Sequence, residues 1–302
     1  MKANLHIHSR FSDGSLWPSE IVEKAQRLGL GLISITDHDT LGGVSETLSH
    51  AGWRGIAAIP GCELDCEAKE IDYRSELLAY FPEGAYPATD AFLRSVAIRR
   101  AERLKDLLRH ARKAFGIADL SFEELFARKY GPRASSLAPT SVSLSKVDLF
   151  LYLKYRGAIS EALGYREFRR ESLDSKSLGE ERFVRATAAE AASLVKADGG
   201  LLVIPHIGHE FDDSFEKMNR ELKRLRRLLA YFKELGVAGA EQYYYRNEDT
   251  EAINALVRKE AEKLGLYATY GSDCHGPGSG KDTLGKFSGS FAGFPGFPPP
   301  RA

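Results

Sequence analysis

The feature that most constrains this chain is its first segment, in which two histidines alternate with apolar residues ahead of a turn. His6 and His8 are two positions apart, and residues at that spacing lie on the same face of a β-strand. Leu5 and Ile7 alternate with them and face the other way. Asp13 follows in a Ser-Asp-Gly turn, which can bring its carboxylate back over the end of the strand. The segment therefore predicts a buried strand that presents imidazoles and a carboxylate to one point.

The same pairing of imidazole with carboxylate recurs after other short apolar runs. A single His-x-His pair is commonly just a hydrogen-bonded pair in a strand. The recurrence favours a metal site, because imidazole and carboxylate together are the ligands of Mn, Fe and Zn centres. The further islands are Thr36-Asp37-His38-Asp39, Gly61-Cys62-Glu63, Pro205-His206 and Gly271-Ser272-Asp273-Cys274-His275.

Charge and cysteine content narrow the class of protein. Lys plus Arg and Asp plus Glu both total 42, so no net charge favours a long nucleic-acid duplex or a membrane surface. The cysteines include no CxxC pair, which is typical of a reducing compartment. Cys62 and Cys274 adjoin candidate ligands, but strand alternation directs them away, and we expect small buried residues. Without a signal peptide or a long apolar run, we expect a cytoplasmic protein with no membrane contact and no obligate protein partner.

Short apolar runs alternate with helical patterns in the first part of the chain. Pro18 begins a helix with an apolar stripe that Gly29 can end. Strands are predicted at Leu32–Thr36, at Ile56–Pro60 with its end running to Glu63, and at Glu76–Phe81. This alternation favours a parallel α/β sheet or barrel, in which the chemistry gathers at the carboxyl ends of the strands.

A helical segment over residues 85–184 interrupts this alternation. The stretch from Phe92 to Phe115 predicts one long helix with a buried apolar face. Arg100 lies on that face, which is compatible with a buried ion pair or with phosphate binding, and the sequence leaves both open. None of the histidine islands falls here, so we expect an insertion that caps the barrel and shapes the substrate pocket. Weaker candidates for phosphate binding are Arg99, Arg103 and Arg133, with a basic helix surface favoured for the first two.

The alternation resumes after the insertion. Thr187 and Glu190 form a capping box for a helix that reaches Ala197. Tyr243, Tyr244 and Tyr245 could stack a base, although such aromatics belong more often to the core. The elements expected beyond Ala197 are a strand at Leu201–Ile204, one helix from Phe215 to Leu235 ended by Gly236, a strand at Val237–Tyr243, a helix at Thr250–Leu264 and a strand at Tyr267–Tyr270.

These patterns predict a single domain over residues 1–290 that contains the insertion. The Gly/Phe/Pro-rich stretch from Ser288 lacks periodicity, so residues 291–302 are expected to form an irregular tail.

Taken together, the islands resemble the PHP (polymerase and histidinol phosphatase) family of metal-dependent phosphoesterases. The insertion is most similar to the stand-alone branch that includes nucleoside 3′,5′-bisphosphate phosphatases and short-RNA 5′-exonucleases. The resemblance implies a distorted (β/α)7 barrel with the metal site at the carboxyl ends of its strands. The motifs that match in order and approximate spacing are His6-x-His8, Ser12-Asp13-Gly14, Thr36-Asp37-His38-Asp39, Gly61-x-Glu63, Pro205-His206 and Gly271-Ser272-Asp273-x-His275.

The resemblance also implies two or three divalent metal ions, which would be Mn, Fe or Zn. Glu63 would bridge to a third ion, which His206 helps to hold. The family has a histidine where this sequence has Glu76, and a carboxylate there adds negative charge and favours a harder metal. The implied ligand sets of the other two ions are His6, His8, Glu63 and Asp273 for one, and Asp13, His38 and His275 for the other.

As an activity, the resemblance implies hydrolysis of a phosphomonoester by a metal-activated hydroxide, on a nucleoside 3′,5′-bisphosphate or a short oligonucleotide. His206 or a metal-bound water would protonate the leaving group, and Arg100 would hold a second phosphate. The alternatives are a histidinol-phosphate-type phosphatase, an amidohydrolase-like C–N hydrolase and a non-catalytic metal-binding module. The C–N hydrolase is disfavoured because no Lys ends a middle strand to bridge two metals.

Overall fold

The structure is a computed structural model that describes residues 1–174, 178, 185–294 and 296–297. The chain divides into a unit formed by Met1–Phe92 with Arg185–Ala302 and a unit formed by Leu93–Val184. Every strand assigned among the described residues belongs to the first unit, and the described part of the second unit is helical. The strands are β1 (Lys2–Asn4), β2 (Leu32–Ile33), β3 (Ala57–Ala58), β4 (Gly61–Ala68), β5 (Tyr73–Tyr80), β6 (Ala186–Thr187), β7 (Leu201–Ile204), β8 (Gly239–Tyr243), β9 (Tyr267–Gly271) and β10 (Gly289–Ser290).

The α-helices include those predicted from the sequence and the unpredicted helix Val44–Arg54, and the described part of the insertion has three after the long helix. Short 3₁₀ turns lie at Lys69–Ile71, Gly131–Ser136, Pro139–Ser141 and Ile207–Phe211, and a π-helical turn at Arg169–Asp174. The α-helices are α1 (Pro18–Arg27), α2 (Val44–Arg54), α3 (Pro87–Phe115), α4 (Phe122–Tyr130), α5 (Lys146–Tyr155), α6 (Tyr165–Phe168), α7 (Ala188–Ala197), α8 (Phe215–Arg220), α9 (Leu222–Glu234) and α10 (Thr250–Glu262).

Two sheets carry the strands. One has the order β10-β1-β2-β3 and the other the order β6-β4-β5-β7-β8-β9. The runs β1-β2-β3 and β7-β8-β9 are parallel, as the alternation of strands and helices predicts. Parallel strands of one sheet end at the same edge, so the segments that follow β1, β2, β7 and β9 come together.

Backbone contacts join the two sheets into a barrel-like α/β fold, which confirms the predicted fold class. Leu5 donates its amide to the carbonyl of Tyr270 at 2.7 Å, and Ile7 forms a parallel bridge with Cys274. On the other side, His38 forms a parallel bridge with Glu63. At the two places where the sheets meet, these isolated contacts replace a continuous ladder of backbone hydrogen bonds, so the barrel is distorted.

The prediction for the third and fourth strands was wrong in detail. Gly61 begins the separate strand β4 instead of ending the strand before it, so Glu63 lies inside a strand. Strand β5 runs antiparallel to β4 and pairs with it from Gly61–Tyr80 to Ala68–Tyr73. The turn between them is too short for the crossover that parallel neighbours need, and this forces the hairpin.

α3 begins at Pro87, ahead of the predicted start at Phe92. The amides of Ala88 and Thr89 donate to the carboxylate of Asp198 at 2.9 and 2.7 Å. Because this cap comes from a residue distant in sequence, no local capping signal marks the first turn.

The predicted helix from Phe215 to Leu235 is two helices, α8 and α9, separated at Glu221. Met218 and Leu225 are fully buried on either side of the break. The apolar stripe therefore continues across it, and periodicity alone indicates one helix. Gly236 adopts the predicted left-handed conformation, with φ of +88°.

Residues 289–294 pack more closely than an irregular tail would, and half of the predicted tail lies outside the described residues. Strand β10 pairs antiparallel with β1. Phe291 and Phe294 are 4% exposed and pack with Leu5 and Tyr80 in one apolar cluster. A two-residue strand anchored by aromatic side chains has no periodicity, so the sequence pattern could not reveal it.

The helical unit buries the apolar face predicted for its long helix. Leu93, Val96, Leu104 and Leu107 are each less than 5% exposed. Among the described helices, none combines the length and the apolar character that crossing a membrane requires.

Candidate metal centre

The strand-end histidines of the first segment lie beside the last motif of the sheet. His6 and His8 follow β1, and Ile7 between them forms the bridge to Cys274. This register places the His8 ring 4.2 Å, centroid to centroid, from the ring of His275. The parallel pairing predicted from the sequence therefore brings the first and last islands together.

Glu63 is the carboxylate at the middle of the cluster. Its Oε2 lies 3.3 Å from His6 Nε2, 3.2 Å from His8 Nε2 and 3.2 Å from His38 Nδ1. Its Oε1 lies 3.1 Å from His206 Nε2. One side chain on β4 thus contacts four imidazoles from three separate segments, which is the arrangement expected of a bridging ligand.

Asp13 occupies the opposite side of the His8 ring. Its Oδ1 lies 3.2 Å from His275 Nε2 and 3.6 Å from His8 Nδ1, and its Oδ2 lies 3.9 Å from His38 Nε2. Asp37 holds the turn that carries it, because its carboxylate accepts hydrogen bonds from the Ser9 amide and hydroxyl at 2.7 and 2.6 Å. A buried acid that belongs to none of the ligand groups found among the described residues therefore fixes this turn.

Asp273 divides its two oxygens between different partners. Oδ1 faces His8 Nε2 at 3.1 Å and His275 Nδ1 at 3.3 Å. Oδ2 accepts hydrogen bonds from Tyr243 Oη at 3.0 Å and from Lys281 Nζ at 2.5 Å. Only one oxygen of this carboxylate is thus directed at the imidazoles.

Three overlapping groups of side chains bring potential ligand atoms within 4.8 Å of one another among the described residues. His8 is shared by two of them and His6 by two, which differs from the ligand sets that the family resemblance implies. The groups are His8, Asp13, His38 and His275; His6, His8 and Asp273; and His6, Glu63 and His206.

The electrostatics of the cluster couple its histidines to its carboxylates. Burial acts to lower the pKa of His8, but hydrogen bonds to Asp273 and Glu63 outweigh it and raise the pKa to about 10. Burial likewise opposes the effect of Glu241 and Glu63 on His6, whose pKa nevertheless lies well above its ordinary value. The cluster therefore demands positive charge, which protons supply to the histidines in the absence of metal.

The carboxylates show the complementary shift. Burial alone would raise the pKa of Glu63, but His6 and His38 hold it well below its ordinary range. The pKa of Asp13 is also lowered against the effect of burial, chiefly by His275 and His38. Each acid thus remains ionised and available as an oxygen ligand.

The donor atoms fit divalent metal ions. The Nε2 atoms of His6 and His8 are only 3.1 Å apart, close to the spacing of about 3.4 Å between two nitrogens on one tetrahedral zinc. The buried Nδ1 of His38 faces Glu63 without forming a hydrogen bond. The closely spaced ring nitrogens of His6 and His8, and the ring nitrogen of His38 without a hydrogen bond, both fit ligands of divalent cations.

Glu76 stands at the margin of this cluster. Its Oε2 accepts a hydrogen bond from Ser75 Oγ at 2.6 Å and lies 4.0 Å from His206 Nε2. It belongs to none of the three groups found among the described residues. Its predicted ligand role therefore stays a prediction.

Cys62 and Cys274 are buried free thiols, as predicted. Burial raises the pKa of Cys62, with further contributions from Asp39 and Glu63. Neither thiol joins a ligand group within the described part of the chain.

The arginine candidates all lie in the helical unit. Arg100 is half-buried on α3. Arg99 is exposed and donates to Ser95 Oγ at 3.1 Å, in keeping with a surface role. Arg103 is different, because its Nε and Nη2 are buried and have no hydrogen-bond partner among the described residues. Arg133, on the 3₁₀ turn after α4, is half-buried.

The tyrosine triplet divides between core and surface. Tyr243 and Tyr245 are 1% and 4% exposed, as the core interpretation predicts. Tyr245 Oη accepts a hydrogen bond from the amide of Gly208 at 3.0 Å, next to His206. Tyr244 is half-buried and stacks against Phe287.

Several residues at the site were not singled out from the sequence. Glu241 on β8 contacts His6, and Lys281 contacts Asp273. His209 packs its ring against that of His206 at 4.5 Å and pairs with Asp213 Oδ1 at 2.5 Å. A buried acid at the end of an apolar strand was a usable signal for Glu241. Lys281 and His209 lie in loops with no comparable pattern.

Comparisons with known proteins identify relatives that match most of this chain. The PHP domain model matches residues 4–265. A 3′,5′-nucleoside bisphosphate phosphatase of Chromobacterium violaceum is 29% identical over 282 residues, which cover 93% of this chain and 90% of that protein. A phosphoribosyl 1,2-cyclic phosphate 1,2-diphosphodiesterase of Eggerthella lenta is 27% identical, with coverage of 91% and 95%. A 5′-3′ exoribonuclease of Haemophilus influenzae is 27% identical, with coverage of 91% and 90%.

A solved structure extends the likeness to three dimensions. It is that of a Chromobacterium violaceum protein described as an amidohydrolase with bound sulfate and no metal. It superposes with a TM-score of 0.69 at 28% identity and covers 92% of this chain and 89% of its own. The match of the PHP domain to most of the chain, on a barrel-like fold that gathers histidines and carboxylates, shows that this chain belongs to the PHP family of metal-dependent phosphoesterases.

Proposed function

We propose that this phosphoesterase removes phosphate from a small nucleotide, either a nucleoside 3′,5′-bisphosphate or a short oligonucleotide with a terminal phosphate. The observation that carries the proposal is the convergence of four imidazoles on the single carboxylate of Glu63. The bisphosphate phosphatase and the exoribonuclease among its relatives support a nucleotide as the substrate class. Family membership favours phosphoester hydrolysis over the C–N hydrolase and the non-catalytic module.

The proposed ligands are the donors that the structure brings together. Two or three divalent ions, of Mn, Fe or Zn, would lower the pKa of a bound water toward about 7 and stabilise negative charge on the phosphate. The ligands would be His6, His8, Asp13, His38, Glu63, His206, Asp273 and His275, with Glu76 as a further candidate at the third ion.

The chain's own residues would hold these ligands ready for the reaction. Lys281 and Tyr243 engage one oxygen of Asp273, so the other oxygen stays directed at His8. The Nε2 of His206 is directed at Glu63, which supports a ligand role. Protonation of the leaving group by His206 stays a prediction.

An arginine would bind the second phosphate of a bisphosphate. Arg100 is the residue that the sequence indicates, and the unpaired buried nitrogens of Arg103 add a second candidate. A buried guanidinium without an acceptor is costly, and a phosphate oxygen would satisfy it with a charge-assisted hydrogen bond. Arg100→Ala or Arg103→Ala should therefore raise KM for a bisphosphate more than for a nucleoside monophosphate.

The decisive experiment measures phosphate release from purified protein loaded with Mn²⁺, with a chelated sample as control. The panel contains a nucleoside 3′,5′-bisphosphate, a short 5′-phosphorylated RNA, histidinol phosphate, phosphoribosyl 1,2-cyclic phosphate and a chromogenic monoester. We expect chelator-sensitive turnover that is greatest on the bisphosphate or the RNA. Turnover confined to histidinol phosphate or to the cyclic diester would refute the nucleotide assignment and leave the phosphoesterase intact.

A further inference from the structure

Glu241 connects two candidate ligands through one buried carboxylate. It lies on β8 and is 1% exposed. Its Oε1 is 2.9 Å from His6 Nδ1, and its Oε2 accepts a hydrogen bond from the backbone amide of His206 at 2.9 Å. We propose that Glu241 is a positioning residue that fixes the tautomer of His6 and the backbone of His206, and thereby sets the affinity of the centre for metal. The inference rests on the proposed metal ligands.

The first contact determines which nitrogen of His6 is free. An ionised carboxylate only accepts hydrogen bonds, so His6 Nδ1 must carry the proton that points at Glu241. Nε2 is then the nitrogen that would bind metal with its lone pair, and it faces Glu63 and the Nε2 of His8. Histidines that bind metals commonly donate their other ring N–H to a carboxylate, and this raises the basicity of the ligand nitrogen.

The second contact stabilises an unusual backbone conformation. His206 has φ of +22° and ψ of +45°, which few residues other than glycine adopt. The residue follows Pro205, which comes after the end of β7 at Ile204, and it precedes the 3₁₀ turn Ile207–Phe211. The hydrogen bond from its amide to Glu241 holds this turn, which directs the side chain at Glu63.

The neighbouring strand leaves room for this carboxylate. A Cβ at Gly271 would lie 1.9 Å from Glu241 Oε1 and 2.3 Å from His6 Cβ. Neither contact is tolerable, so the glycine at the end of β9 makes the Glu241–His6 contact possible. Gly271 thus offers a second way to disturb the same hydrogen bond without removing its charge.

The test compares metal binding by the wild-type protein and by Glu241→Gln. A glutamine has one acceptor oxygen and one donor nitrogen, whereas both partners of Glu241 are donors. An amide nitrogen that faces His6 would force the ring proton onto Nε2, where it blocks the ligand position. An amide nitrogen that faces His206 would place two donors together and release the turn.

We expect Mn²⁺ affinity, measured by calorimetry at fixed pH, to fall about 10- to 100-fold in Glu241→Gln. The ¹⁵N shifts of His6 in the Zn²⁺-loaded protein, where the ring is neutral, should report loss of the Nδ1–H tautomer, which a merely structural role would not produce. Gly271→Ala should weaken Mn²⁺ binding in the same direction. The matched control is Glu260→Gln, which removes another buried carboxylate that pairs with Arg226 and Lys263 and should leave the affinity unchanged.

The outcomes separate this inference from the proposed function. Unchanged Mn²⁺ affinity in folded Glu241→Gln, with normal affinity in the wild type, would overturn the role of Glu241 alone. A wild-type protein that binds no divalent metal would overturn the metal centre and the inference with it. If Glu241→Gln does not fold by circular dichroism, wild-type affinity in folded Gly271→Ala would overturn the role.

Discussion

Glu63 and Glu260 are both buried carboxylates with lowered pKa values, but their partners differ. Glu63, which is 1% exposed, is surrounded by His6, His8, His38 and His206. Glu260, which is 3% exposed, pairs with Arg226 at 2.8 Å and Lys263 at 2.6 Å. Imidazoles compensate the negative charge of Glu63, whereas an arginine and a lysine, which are permanent cations, compensate that of Glu260.

The difference shows what distinguishes a buried acid in a permanent ion pair from a buried acid that is available to a metal ion. The arginine and lysine at Glu260 keep their protons throughout the physiological range, so that ion pair is permanent. The imidazoles at Glu63 can exchange their protons for a metal ion, because the nitrogen that loses the proton becomes the ligand. A cluster of histidines around an acid is therefore an exchangeable cation site, whereas an arginine pair is not.

The largest effect should come from removing a ligand. His8→Ala and Asp273→Ala should each lower kcat/KM by more than about 100-fold, since even the partners of ligands contribute 10- to 100-fold. Steady-state phosphate release checks this, with circular dichroism to verify folding. Near-normal rates in either variant, with metal retained, would show that the cluster around Glu63 is not the catalytic metal site. Glu260→Gln should keep its activity.

Metal binding should release protons and strengthen with pH. In the metal-free protein the pKa of His8 is raised to about 10, so at pH 7 the metal must displace its proton. Affinity should rise about tenfold per pH unit for one displaced proton until the pH reaches the pKa. Calorimetry in buffers with different ionisation enthalpies measures the released protons, and a binding enthalpy independent of buffer would count against the exchange.

The same shift makes a prediction for the metal-free protein. The raised pKa of His8 contributes stability that is complete below the ordinary value of 6.5 and is lost as the pH rises toward about 10. Metal-free protein should therefore unfold at progressively lower urea concentration above neutral pH. A midpoint that increases over this range would show that another group dominates.

Glu76→His should change metal affinity, by a smaller factor than the loss of a ligand. The carboxylate of Glu76, 4.0 Å from His206 Nε2, would be replaced by the nitrogen ligand that the family resemblance implies at this position. We expect the weakest bound metal to gain about tenfold in affinity, which corresponds to about 1.4 kcal/mol. Metal content after dialysis measures the gain, with Glu76→Gln as the control that removes the charge without adding a ligand.

The smallest expected effect is the change in stability when the permanent ion pairs of Glu260 are removed. Hydrogen bonds from Arg226 and Lys263 lower the pKa of Glu260 to about 2, from an ordinary value of 4.5. Its contribution is thus present above pH 4.5 and lost as the pH falls toward 2. Glu260→Gln should lower the free energy of unfolding by about 1 kcal/mol at pH 7, because both partners are half exposed. Urea unfolding at pH 7 and pH 3 should show that the difference shrinks in acid.

The sequence predicts the positions of the candidate ligands better than the geometry of the sheet around them. His6, His8 and His275 each follow an apolar run, so a local pattern marks them. The antiparallel hairpin of β4 and β5 was missed, because β4 carries too many polar residues to read as an apolar strand. Strand direction depends on the length of the turn between strands, and the alternation of hydrophobic residues does not report it.

The sequence alone determined the family, the α/β class and the candidate ligands, because these depend on residue types at strand ends and on their order along the chain. Only the tertiary structure decided that Glu63 contacts four imidazoles, that Asp198 caps α3 and that Glu241 connects His6 with His206. Each of these contacts joins residues far apart in the sequence. Their distances are set by how the strands pack, and no local pattern of side chains encodes that packing.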